Sequence, residues 1–201
     1  MKNPWKCDKN RFHPTHPDFA KSFNNLGEVY AKMGEYAEAL LYHEKALEFR
    51  QNTLPPTHCD LAASYNNIAV VYQNMSEYAK ALSYHEKVLE IRQKTLPPTH
   101  PDLATSYSNL GAVYKNMGKY SEALSYYEEA LGIRQKCLAA AHPDLATSYN
   151  DIGEVYVNMR EQSKARPFFE RAVDIGQQSL PKNHPNLQDY RKNLDLMKKK
   201  L

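Results

Sequence analysis

Five histidines, His16, His58, His100, His142 and His184, recur at 42-residue intervals, and their type invites a test for chemistry. Imidazole is a common metal ligand and a general base near neutral pH, yet a metal needs its donors to converge on one point. Residues one period apart fall instead along a line, separated by about twice the 8–10 Å distance between packed helices. The column is therefore expected to serve the connectors between helices. His43 and His85 take a position that is Tyr127 and Phe169 elsewhere, and they read as half-buried packing residues. Gly111 to Lys119 has two glycines and a lysine, but the spacing is wrong for a phosphate loop and it joins two helical patterns. Glu128-Glu129 belongs to the solvated face of a helix. No Ser/His/Asp or Cys/His set stands out from the background, so the sequence points to no enzyme, no catalytic residue, no cofactor and no metal site.

The elements that hold these residues repeat with them. His100 to Ala141 is the clearest copy, variants start at His16, His58 and His142, and a truncated one starts at His184. Self-similarity at a fixed period of this size signals stacked supersecondary units. Tyr107, Leu110, Gly111, Val113, Tyr114 and Met117 have the spacing of one helical face, as do Tyr120, Ala123, Leu124, Tyr127, Ala130, Leu131 and Ile133. Gly118 lies between the two runs, where a helix C-terminus wants positive φ. Gly27, Ala69, Gly111 and Gly153 on first helices, and Ala39, Ala81, Ala123 and Ala165 on second helices, mark close approaches of two backbones. Thr57-His58-Cys59-Asp60 and Thr99-His100-Pro101-Asp102 predict a capping box with threonine as the cap. Pro55-Pro56 and Pro97-Pro98 stop the helix before each connector. In the fourth copy Arg160 replaces the turn glycine and Pro167 enters the second helix, where it should bend it.

At Tyr107, Leu110, Gly111, Tyr114, Ala123, Tyr127 and Ala130 the chain resembles the tetratricopeptide repeat. The usual unit of that family is about 34 residues. Here a longer second helix and a Leu-Pro-Pro-Thr-His-Pro-Asp connector make the unit similar to that of kinesin light chains, down to Asn24-Asn25-Leu26 and Arg166-Pro167-Phe168-Phe169-Glu170-Arg171-Ala172. The resemblance implies an all-α fold, a right-handed superhelical solenoid of antiparallel helix pairs. The expected domains are an N-terminal extension at 1–15, repeats at 16–57, 58–99, 100–141 and 142–183, and a capping helix at 184–201. Asp195 and Lys198 put charge where a further repeat would dock, so the array is expected to end there. Phe12-His13-Pro14-Thr15 resembles a worn connector, and Trp5 is placed to pack on the first repeat or to sit in a disordered tail.

Composition narrows the partners. A formal charge of +3, from 26 basic and 23 acidic residues, is too balanced for a nucleic-acid binder. No run has the length of a membrane span, and Met1 to Arg11 lacks the apolar core of a secretory signal. Three cysteines, Cys7, Cys59 and Cys137, ignore the period and make a disulfide framework unexpected. The expectation is a cytoplasmic protein, monomeric by itself, with protein or peptide partners, no nucleic acid and no membrane.

One stripe carries binding information. On the first helices, opposite the packing face, stand Lys21, Asn24, Asn25, Glu28 and Lys32; then Asn66, Asn67 and Asn74; then Ser108, Asn109, Lys115 and Asn116; then Asn150, Asp151, Glu154 and Asn158. Asparagine is a poor helix former, so its recurrence in mid-helix marks a working surface. Its amide offers donors and an acceptor to the backbone of an extended peptide, with Lys21, Lys32 and Lys115 selecting acidic groups. The competing use is bonding between neighbouring helices. In the family resembled, the corresponding groove takes cargo peptides, which implies an adaptor, with a kinesin-type motor complex as one setting. The other reading is a partner-sensing segment of a larger enzyme or signalling protein, and the worn start favours a missing N-terminal region.

Overall fold

The computed structural model describes residues 18–198, which hold nine α-helices and no strand. Trp5, Cys7 and the connector-like Phe12 to Thr15 lie outside the described residues. The helices are α1 (Asp18–Met33), α2 (Tyr36–Thr53), α3 (Cys59–Asn74), α4 (Tyr78–Thr95), α5 (Pro101–Asn116), α6 (Tyr120–Cys137), α7 (Pro143–Asn158), α8 (Gln162–Ser179) and α9 (Pro185–Lys198). This is the all-α repeat architecture that the periodicity predicts. The chain divides into two compact units, residues 1–91 and 92–201.

The connectors show what the histidine column does. His58, His100 and His142 take extended backbone angles just before α3, α5 and α7, and each Nδ1 accepts from the N–H two residues on, at 3.1, 3.1 and 3.2 Å. His184 repeats the bond to Asn186 at 3.3 Å. The cap is thus one residue later than the threonine reading places it. Nδ1 lies as many bonds from Cα as the Oδ of aspartate, so imidazole reaches the same exposed donor.

At the other end of the first helices, Gly34 and Gly118 adopt φ of 81° and 74°, and Ser76 and Arg160 hold the same turn at 60° and 63°. Lys119 N–H returns to the Tyr114 carbonyl at 3.0 Å, and Glu77, Glu35 and Glu161 repeat that bond. This closing bond satisfies a carbonyl that the helix end would leave orphaned. Replacing the turn glycine therefore changes the cost of the turn and not its geometry.

In unit 1, α1 packs on α2 and α2 on α3. Leu47 joins Leu61, Ala62 and Ile68 in its core. In unit 2, α5 packs on α6, α6 on α7, α7 on α8 and α8 on α9 around Tyr127, Leu131, Ile152, Phe169, Leu187 and Tyr190. The small residues sit where backbones meet rings. A Cβ on Gly27 would lie 2.7 Å from the His43 ring, on Gly111 3.0 Å from Tyr127, and on Gly153 2.7 Å from Phe169. A second aromatic layer recurs: Tyr30 stacks on Tyr42 at 5.3 Å, Tyr72 on Tyr84 at 5.7 Å, and Tyr114 on Tyr126 at 5.2 Å. Pro167 is accommodated inside an uninterrupted α8.

His43 and His85 are more buried than their spacing suggests, at 2% and 1% exposure. The His43 Nδ1 donates to Asn24 Oδ1 at 3.1 Å. Burial holds the His43 pKa below its usual value, against the pull of nearby Glu28.

Candidate functional site

The stripe falls in both units, and it has a different character in each. In unit 1, α1, α2 and α3 enclose a cleft of about 410 Å³. Glu28 and Lys32 come from α1, and Asn67 and Asn74 from α3, one helical turn or two apart so that they share a face. Ala31, Val70 and Val71 supply apolar surface, and His43 enters from α2. Lys32 and the amides of Asn67 and Asn74 make no side-chain hydrogen bond or ion pair among the described residues. The arrangement offers an apolar floor with donors, acceptors and both charge signs at the rim, the usual make-up of a ligand cleft. Lys21 and Asn25 are exposed outside its lining, Asn24 is held by His43, and Asn66 already has a partner.

In unit 2 three residues of the stripe are bonded to one another. Lys115 donates to Glu154 Oε2 at 2.7 Å, bridging α5 and α7. The Asn150 amide donates to Glu154 Oε1 at 2.9 Å, and Asn193 of α9 donates to Asn150 Oδ1 at 2.9 Å. Asn109 has a partner of its own, the Ser108 hydroxyl is buried with no hydrogen-bond partner, and Asn116 and Asn158 are exposed. Asp151 is half-buried in this network. Burial pushes its pKa from 3.8 up to about 7; Glu154 adds to the rise, while Lys115 and Arg134 oppose it. The same burial, with Asp151 and Glu154 nearby, raises the Tyr127 hydroxyl well above its usual range. A smaller cleft of about 220 Å³ lies against Glu154, Asn158, Phe169 and Asn193.

Several residues of the site are not in the stripe read from sequence. His43 and Val71 belong to the core pattern, and only the hairpin geometry brings them to the cleft, while Val70 lies one period after Glu28. Asn193 was discoverable, since it lies 42 residues after Asp151.

Among the described residues one group has metal-binding donors together. His58 Nδ1 and Asp60 Oδ1 lie 3.8 and 3.9 Å from Cys59 Sγ. That Nδ1 already accepts the N-terminal bond of α3, which an ion would have to displace. Cys59 and Cys137 are free and exposed. No helix among the described residues is long and apolar enough to cross a membrane.

A tetratricopeptide repeat family model matches residues 60–136 and 107–178, and a second tetratricopeptide repeat model matches 19–60. No curated protein matches the chain. Among solved structures, the nearly identical TPR-like repeats of a Podosopora anserina protein described as a kinesin light chain are 26% identical. That alignment covers 92% of this chain and 87% of the other, with a TM-score of 0.77. BtubC (BKLC) from P. vanneervenii is 25% identical over 91% of this chain and 73% of its own, with a TM-score of 0.80. Aspartyl phosphate phosphatase F from Bacillus subtilis shares the fold at 16% identity, covering 90% of this chain and 45% of the other with a TM-score of 0.77.

Proposed function

We propose that this chain, which belongs to the tetratricopeptide repeat family, is a non-catalytic adaptor that holds an extended peptide segment of a protein partner in the unit 1 cleft. The observation that carries the reading is the set of uncommitted polar groups there. Half-buried amides normally find partners within the fold; Asn109, one period after Asn67, has one, whereas the half-buried Asn67 has none among the described residues. Asn67 and, at the exposed rim, Asn74 are left to bond a peptide backbone, Val70 takes an apolar side chain, and Lys32 favours an acidic neighbour. Likeness to kinesin light chain repeats supports a partner that travels with a kinesin-type motor.

The test is selection of a displayed random 12-residue peptide library on the wild type and on Asn67→Ala with Lys32→Ala. Wild type enriches peptides with an apolar residue beside an acidic one. The double variant loses them while its circular dichroism stays unchanged. If the variant enriches the same peptides with undiminished affinity, the cleft is not the binding site.

A further inference from the structure

The face of α1 that points away from α2 carries an apolar row that other first helices keep covered. Leu26 and Val29 are 43% and 53% exposed, whereas Ile68 and Val71, one period on, are 0% and 1% exposed. Ile152 and Val155 are both at 0%, and Leu194 and Met197 at 8% and 3%. The cover is the second helix of the hairpin before. Leu47 of α2 packs with Ile68 of α3, and Leu131 of α6 with Ile152 of α7. No helix precedes α1 among the described residues.

A polar marker accompanies the row. Arg50 donates to Ser64 Oγ at 2.5 Å, Arg92 to Ser106 Oγ at 2.8 Å, and Arg134 to Ser148 Oγ at 2.6 Å. α1 keeps the equivalent serine, Ser22, and there it is exposed. Each of those arginines ends a Leu-x-Φ-Arg segment, where Φ is bulky and apolar: Leu47 to Arg50, Leu89 to Arg92, Leu131 to Arg134.

We propose that this face of α1 docks an amphipathic helix of a separate partner polypeptide, one that carries a Leu-x-Φ-Arg segment. The leucine and Φ cover Leu26 and Val29, and the guanidinium bonds Ser22. A second copy of the chain has no such helix to give, because its three segments are already committed to their own serines. Residues 1–17 contain no leucine and no such segment. The row is distinct from the cleft wall of Glu28 and Lys32, so the inference does not rest on the peptide reading.

A helix-stapled, fluorescein-labelled peptide of the α6 sequence Tyr120 to Lys136 provides the probe, titrated with the full chain by fluorescence anisotropy. Saturable binding is expected. It weakens about tenfold or more with Val29→Asp in the chain, and about tenfold with Ser22→Ala or with Arg134→Ala in the peptide, the loss of one hydrogen bond to a charged group. Leu26 and Val29 are exposed, so circular dichroism of the variant should match wild type. Absence of saturation at about 1 mM, or equal binding by Val29→Asp, overturns the proposal. Two other results do the same by naming another occupant. One is self-association that Val29→Asp abolishes. The other is blue-shifted Trp5 emission that this substitution moves to the red.

Discussion

Asp151 is the residue through which pH should reach the stability of unit 2. Its carboxyl is held at about 7 in the fold against 3.8 in a free chain. Below about pH 4 both states carry the proton. Between there and pH 7 the folded chain keeps a proton that the unfolded chain has released, so stability falls as pH rises through that window. Above pH 7 the full cost of the charge is present. About three pKa units correspond to a ceiling of about 4 kcal/mol, and a half-buried carboxylate that keeps some hydration should show about 2 kcal/mol. Asp151→Asn removes the charge, and Asn is what stands at Asn25, Asn67, Asn109 and Asn193 in the same register. Urea unfolding of wild type and variant at pH 5 and pH 8 measures the effect. The variant should gain about 2 kcal/mol at pH 8, or about 5 °C in melting temperature, and much less at pH 5. Parallel curves, or a variant weaker than wild type at pH 8, would refute the electrostatic reasoning.

Three further outcomes follow from the geometry. Gly153→Ala places a Cβ 2.7 Å from the Phe169 ring and should cost about 1–3 kcal/mol in urea unfolding. Arg160→Gly relieves a residue held at φ of 63°, and should raise the melting temperature with a gain of about 1 kcal/mol. His100→Ala removes the acceptor for Asp102 N–H and should cost about 1 kcal/mol, most of which His100→Asn restores.

Period and spacing made the hairpins, the small-residue contacts and the glycine turns legible, because those depend on local geometry repeated in every copy. Gly118 could be read directly; that Arg160 makes the same turn could not, since a strain of about 1 kcal/mol is overridden by the packing on either side. The histidine cap was missed because threonine is the commoner cap and its spacing also fits. The stripe was legible as a list of residues. Its division into a committed part and an uncommitted part was not, because the Lys115–Glu154 bond runs diagonally between first helices, outside the period that organises everything else.

The glycines that face rings set a rule for how such a chain can be shuffled during evolution. Gly27 admits His43, Gly111 admits Tyr127 and Gly153 admits Phe169, so each first helix is matched in size to the second helix that follows it. A crossover inside a hairpin would put Ala69 against Tyr127, where the ring already stands 3.0 Å from a Cβ position. A crossover in the histidine connectors moves lock and key together. Whole 42-residue blocks can therefore be gained, lost or exchanged as units, while half-block exchanges that set Ala69 against the Tyr127 or Phe169 ring are barred.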